Sequence, residues 1–505
     1  MKKSLLFLGL LGFAASAQAQ GPWTQVNSPA PNIFSAYEVD RIHTLSSTLM
    51  WGTMTDRVAA GTPAPPTANY VVTNNPTGAG DQFDFGSVPV TANANVGNIS
   101  GISATTAIAC AYPTAAFTGS GIYGGEILKT TNGGITWVKK TTATQFTGAG
   151  AFCNWVHMFT PLIGVALGDP RTATPTVFEI LRTTDGGETW TTLTSGVPPA
   201  ISNEYGNSQS FFALDGTGTL WAGLASATST APVRVLKTTD FGVNWTVSTL
   251  VTNMTGSINR LAFKDANNGI CYGLTDNGTS LTSVDVARTS DGGATWTPIT
   301  PVNNATGSFY RADIDAVEGR YYSVGTRLLV APPMQVADDF GSSTSTDGIN
   351  WTNMTNAAAS AVPATPGYFF TLDLIPGALV GANRTTVGYG GLFTSAAGEG
   401  GLFKFSRTAP RLLANRDAAL QSALSVYPNP SATGVFNVAL GTSLKANAQL
   451  IVTDALGRQV KAQALTASAV GSQKLSLDLT GNKAGVYTLQ IRTEAGIATQ
   501  KIVIE

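Results

Sequence analysis

Apolar and polar positions alternate with a period of two along most of this chain, in short runs separated by turns rich in Gly, Asn and Asp. Residues 155–167 (WVHMFTPLIGVAL), 209–214 with 219–224 (QSFFAL, TLWAGL) and 258–272 (INRLAFKDANNGICY) each read as a strand, a turn and a second strand. Helical periodicity is rare. Each such pair is followed by a third strand that runs into a recurring short motif, and a fourth strand leaves it. The pattern therefore predicts units of four antiparallel strands, two before the motif, one into it and one out.

The motif occurs five times. It reads TTNGGITW to Trp137, TTDGGETW to Trp190, TTDFGVNW to Trp245, TSDGGATW to Trp296 and STDGINW to Trp351. The tryptophans fall 53, 55, 51 and 55 residues apart, and a period in this range joined to strand-like sequence predicts a radial array of small sheets. Within each copy the hydroxyl residue and the acid (Asp185, Asp240, Asp291 and Asp347, with Asn132 in the first) accept hydrogen bonds from turn amides, while Gly supplies φ > 0. The Trp lays an apolar face on the sheet as the next strand begins. The last copy is one residue shorter between Asp347 and Trp351, so its hairpin is expected to differ. These octapeptides resemble the Asp-box, or BNR repeat, of sialidases, sortilin-type receptors, xyloglucanases and photosystem II assembly-factor propellers. The resemblance implies a seven-bladed β-propeller in which the box joins the third and fourth strands of a blade at the periphery, away from the axial ligand site.

Five blades end in boxes. A boxless blade precedes them, beginning near residue 36, and a last one runs from about residue 367 to 405 without an evident fourth strand. Residues 23–26 (WTQV) resemble the strand that follows a box elsewhere, as in residues 190–193 (WTTL). The N-terminal strand is therefore expected to complete the last blade and leave no free sheet edge.

Composition narrows the class. Charged residues make up 12% of the chain, with 29 Lys+Arg against 30 Asp+Glu, which argues against a nucleic-acid-binding face. Lys2 and Lys3, an apolar run over residues 5–15 and Ala17-Gln18-Ala19 read as a secretory signal peptide over residues 1–19. No later run approaches the ~20 apolar residues of a membrane span. Cys110, Cys153 and Cys271 lie in apolar strand-like contexts without a C-x-x-C spacing, so no zinc or other metal site is expected. Three buried free thiols are the plainer reading, and a Cys110–Cys153 bridge between neighbouring blades is the other.

After residue 410 the character changes. Residues 411–423 read as a charged, Leu/Ala-rich linker with a short helical turn, and residues 424–505 as alternating strands of a small immunoglobulin-like β-sandwich. The whole chain is thus all-β, with the propeller over residues 20–410. The tail carries Tyr427-Pro428-Asn429-Pro430 with Gly434 after it, a turn with Asp454 and Gly457, a segment with Gly485 and Tyr487, and the terminus Lys501-Ile502-Val503-Ile504. It resembles the type A C-terminal sorting domain of type IX secretion, found in Bacteroidetes. The resemblance implies handling by the type IX machinery and a protein released or attached to the outer cell surface by way of the periplasm.

Propeller ligands bind at the axial face, so polar residues near the first strands are candidates: Asp169, Arg171, Glu204, Tyr205, Arg260, Arg311 and Asp313, with Asp315 and His157 beside them. Turn-stabilising carboxylates with arginine partners are the competing reading. A sialidase-like site needs three arginines, and its F/Y-R-I-P segment has its nearest equivalent in Asp40-Arg41-Ile42-His43, without the proline. Ser/His/Asp hydrolysis is disfavoured by the presence of only two histidines, His43 and His157, and no G-x-S-x-G elbow. The expectation is an exported, monomeric ligand-binding or scaffold module for a glycan or protein, needing no cofactor. A glycoside hydrolase or lyase on the same fold is the alternative.

Overall fold

Among the described residues, antiparallel pairing of each alternating run with its neighbour builds seven four-stranded sheets, a two-stranded ribbon of Pro232–Val233 with Val251–Thr255, and then two further sheets near the C-terminus. The computed structural model describes residues 22–26, 37–56, 68–73, 83–91, 94–113, 124–147, 151–170, 176–276, 281–302, 307–327, 340–354, 368–380, 383–393, 401–410, 418–440, 448–454, 459–465, 474–493 and 496–505. The expected signal peptide, Arg171, Gly457 and residues 411–417 of the expected linker lie outside them.

The seven sheets are the blades of a β-propeller. Blades 1 to 6 occupy residues 37–86, 94–139, 153–192, 204–247, 260–299 and 313–353, each with its strands in chain order from the axis outward. Blade 7 takes three strands from residues 368–410 and its fourth from Trp23–Gln25. Trp23 registers opposite Phe405 and Gln25 opposite Phe403, as the strand-like N-terminus predicted. Trp23 is buried, its ring meets Phe405 edge-on at 4.8 Å, and its indole N–H donates to Ser342 Oγ at 2.9 Å in blade 6. Ring closure therefore rests on a sheet edge and on an aromatic anchor together.

The repeated turns lie between the third and fourth strands. In the second copy Thr183 Oγ1 accepts the Gly187 N–H at 2.9 Å and donates to Asp185 at 2.8 Å, while Asp185 accepts the Thr189 N–H at 3.0 Å. The shortened fifth copy makes the same bonds with one residue fewer: Gly348 N–H reaches Ser345 Oγ at 2.9 Å, and Asn350 N–H reaches Asp347 at 2.8 Å. Asp185 is barely buried, and these donors hold its carboxyl down to about 2. Each turn also touches the preceding blade. Gly187 has φ +81°, and a Cβ there would fall 2.6 Å from Ile108 Cδ1 of blade 2, so the position needs glycine for conformation and for space. Basic residues leading into the turns reach forward instead: Lys129 pairs with Glu188 at 2.7 Å, and Arg182 Nε donates to the Phe241 carbonyl at 2.8 Å. The turns therefore join blades as well as strands.

Beyond a short helix, Ala418–Ala423, a three-stranded and a four-stranded sheet form an immunoglobulin-like sandwich. Its core holds Phe436, Val438, Leu450, Leu489, Ile491 and Ile502, all fully buried or nearly so. Asn429, in the double-proline turn, clasps the last strand: its Nδ2 donates to the Lys501 carbonyl at 2.8 Å and its Oδ1 accepts the Val503 N–H at 2.9 Å. Tyr487 is buried with its hydroxyl on the Lys483 carbonyl at 2.6 Å. Gly434 adopts φ +75° in the turn before the second strand, Gly485 opens the strand that contains Tyr487, and Asp454 ends the strand paired with it.

Candidate functional site

The first strands of the blades present polar side chains to the axis, and many of these bond to the next blade. His43 Nδ1 accepts the Gly101 N–H at 2.7 Å, Asn98 Oδ1 the Val156 N–H at 2.9 Å, and Ser100 Oγ the Met158 N–H at 3.0 Å. Asp313 accepts the Leu372 N–H at 2.9 Å and Asp315 the Leu374 N–H at 2.6 Å. Asp373 closes the circle by accepting the Thr44 N–H. A strand at the axis has a neighbour close by on only one side through its own sheet, so these side chains supply the lateral bonds that β-pairing cannot.

These strands enclose a cavity of about 370 Å³ lined by residues from all seven blades, within the ~300–1,000 Å³ range of small-molecule sites. It shares His43, His157 and Asp215 with a second cavity of about 430 Å³ formed where the first strands end. Phe211 and Phe212 give it apolar wall. Among the described residues no group of three His, Cys, Asp or Glu side chains is placed to hold a metal ion.

The charges are arranged unevenly. Arg260 Nε pairs with Asp313 at 3.0 Å, and its Nη1 donates to Gln209 at 2.7 Å. Arg41 lines the same cavity yet makes no hydrogen bond or ion pair among the described residues. Burial, followed by repulsion from Arg260, brings its pKa down to about 10, so it remains a cation at neutral pH. Asp373 is pushed up to about 8 by burial, and Asp315 is raised by burial and by Asp373. Burial lowers His43 to about 4, and burial with the neighbouring His43 lowers His157 to about 3. Their rings lie 6.0 Å apart and both are neutral imidazoles at neutral pH.

Of the residues singled out from sequence, Arg260 and Asp313 line this cavity, with Arg41, His157 and Asp315 beside them. Asp169 lies at the blade 3–4 junction, accepting from Asn154 at 2.8 Å and from the Gly206 N–H at 3.0 Å, and burial raises it to about 6. Glu204 forms a buried two-pronged pair with Arg234 inside blade 4, at 2.9 and 2.5 Å. Tyr205 is exposed and Arg311 leads into the first strand of blade 6; neither lines the cavity. Asp215, Asp373 and Gln209 line it but were not singled out. A usable signal exists: Asp313-Ile-Asp315 and Thr371-Leu-Asp373 put polar residues at alternate positions of otherwise apolar first strands.

Residues 425–505 match the family described as secretion system C-terminal sorting domain. The tail is a type IX sorting domain. With it the chain is exported to the cell surface or released, and no helix among the described residues is long and apolar enough to cross a membrane. Among curated proteins nothing matches the chain. Solved structures similar to it include YCF48 bound to D1 peptide, at 12% identity and TM-score 0.42 over 77% of this chain and 96% of that one. They also include PorZ, a surface component of the type IX secretion system of Porphyromonas gingivalis, at 12% identity and TM-score 0.27 over 91% and 68%. A third is a PL25 ulvan lyase, at 9% identity and TM-score 0.38 over 77% and 94%.

Proposed function

We propose that this protein is an exported binding propeller whose axial cavity takes an acidic ligand, a uronate-bearing glycan above all, with Arg41 holding the carboxylate. The observation that carries this reading is the Arg41 guanidinium, facing the cavity without a hydrogen bond or ion pair among the described residues while the neighbouring Arg260 is satisfied by Asp313 and Gln209. Asp313 and Asp40 stabilise this buried cation only at a distance, without a direct ion pair, and an incoming carboxylate with two oxygens matches the guanidinium fork. Phe211 and Phe212 offer apolar surface to the rest of the ligand. The five rim turns are Asp-boxes in this reading, structural and remote from the ligand. The chain divides into a signal peptide over residues 1–19, a propeller over 20–410, a linker over 411–423 and a sorting sandwich over 424–505, and it acts as a monomer.

Binding is favoured over turnover by the state of the ionisable groups. Asp313, Asp315 and Asp373 each accept backbone N–H groups from the next blade, and the two histidines are weak bases at about 4 and 3, far from the near-neutral pKa that suits acid–base catalysis. A glycoside hydrolase is the second reading, favoured by one observation: Asp373 and Asp315 both line the cavity, Asp373 raises Asp315, and burial lifts Asp373 to about 8.

A panel of uronate-bearing, sulfated and neutral oligosaccharides, read for binding and for new reducing or unsaturated ends, separates the readings. Retention of uronate-bearing members without new ends is expected. New ends would replace the binding reading with an enzymatic one, and failure to retain any acidic member would remove the proposed ligand class. Export is tested separately: deleting residues 422–505 is expected to leave a folded propeller in the periplasm, and full yield in the medium would contradict the sorting role.

A further inference from the structure

Cys110 lies in the second strand of blade 2, Ala107–Pro113, and Cys153 opens the first strand of blade 3, Cys153–Met158. Both are fully buried in one apolar cluster that spans the two blades. The structure holds both as free thiols, and the two strands pack against each other across the blade junction with both side chains in that cluster. Cys110 Sγ donates in turn to Asn98 Oδ1 at 3.0 Å, the same oxygen that accepts the Val156 N–H of blade 3. Space for the pair depends on Gly97, where a Cβ would fall 2.8 Å from Cys110 Sγ. The third cysteine has no such neighbour: Cys271 sits in blade 5, and its thiol faces Met254 Sδ at 3.8 Å.

Two thiols held in one buried cluster behave differently inside and outside the cell. Reducing cytoplasm keeps them apart, whereas exported proteins meet oxidants that link thiols held together by the fold. The sorting domain sends this chain to the oxidising side.

We infer that Cys110 and Cys153 are joined in the exported protein as a disulfide that ties blade 2 to blade 3. The Sγ–Sγ bond forms as each thiol gives up its proton. The two electrons pass to the disulfide of a thiol–disulfide oxidant, such as an exported dithiol oxidoreductase, which leaves as two thiols. Exchange requires access to a thiolate, and both sulfurs are fully buried once the blades have docked. Burial, and then the neighbouring Cys110, also holds the Cys153 thiol well above its ordinary range in the folded state. The bond is therefore made during folding, as blade 3 closes on blade 2, and is sheltered afterwards. It encloses the first of the five repeated turns, and so restrains the unfolded chain around the blades on both sides of that turn.

The test uses full-length protein recovered from the medium, denatured with an alkylating reagent and no reductant, then weighed intact and mapped by peptides. One alkylated cysteine, Cys271, and a peptide pair joined through Cys110 and Cys153 are expected. Cys271→Ser is expected to leave no alkylated cysteine. Reduction of the denatured protein is expected to add the mass of two hydrogen atoms, and denaturant unfolding is expected to have a lower midpoint for the Cys110→Ala/Cys153→Ala double variant than for the unreduced wild-type protein. Three alkylated cysteines in the exported wild-type protein, or a bridge that includes Cys271, would overturn the inference, and neither result depends on whether a variant folds.

Discussion

Asp373 accepts the Thr44 N–H across the closure of the ring, and burial lifts its pKa to about 8. In the unfolded chain the same carboxyl titrates near ~3.9. Between those values the folded state binds the extra proton. Its contribution to stability is therefore full below ~pH 4 and is lost as the pH rises towards the folded value. Asp373→Asn keeps an oxygen for Thr44 and abolishes the titration, so the variant should gain stability relative to wild type between about pH 5 and about pH 8. Thermal melts of both proteins at the two pH values check this, and a constant difference would show that Asp373 does not hold its proton in the ring. The example also shows why the site was only partly legible in the sequence. Asp373 and Thr44 are 329 residues apart and meet only because the circle closes. Glu204 and Asp313 look alike in sequence, each an acid at the start of a first strand, yet one is spent on Arg234 within its blade and the other faces the axis. Their difference is set by where the partner arginine lies, Arg234 in the same blade for Glu204 and Arg260 in the preceding blade for Asp313, which no local pattern encodes.

The rim turns were legible for the opposite reason, since every group they need lies within eight residues of its partner. Thr183, Asp185, Gly187 and Thr189 satisfy one another locally, and the shortened copy at Asp347 keeps the same logic. The forward contacts of Lys129 and Arg182, and the backward contact of Gly187, were not legible, because they depend on blade-to-blade distance. Trp190 is 5% exposed within the cluster that joins blades 2 and 3. Trp190→Ala is expected to destabilise the propeller by roughly 3–5 kcal/mol, as truncation of large buried aromatics does, and denaturant titration measures it. Ligand affinity of the folded fraction should be unchanged. Lost binding at full stability would mean that the rim turns, and not the axis, carry the ligand.

At the scale of the whole molecule, the ring is held by one sheet edge, where Trp23–Gln25 completes blade 7, and by polar bonds around the axis. Removing residues 21–27 deletes the edge strand and Trp23 together, exposing Phe405 and the backbone of the strand that ends at Pro410. A markedly lower melting temperature is expected, and an unchanged melting curve would contradict closure by this strand. The fourth strand was foreseeable from residues 23–26 because it repeats the sequence character of strands that follow a repeated turn. The cavity was not, because it is a property of seven strands brought to one axis.

The central claim is that the axial cavity receives an anion on Arg41, and isothermal titration of a uronate oligosaccharide into wild-type and Arg41→Ala protein of matched folded fraction tests it most directly. The account predicts that the variant binds at least about thirty-fold more weakly, corresponding to about 2 kcal/mol for a lost buried charge contact. Equal affinity in the two proteins would contradict it.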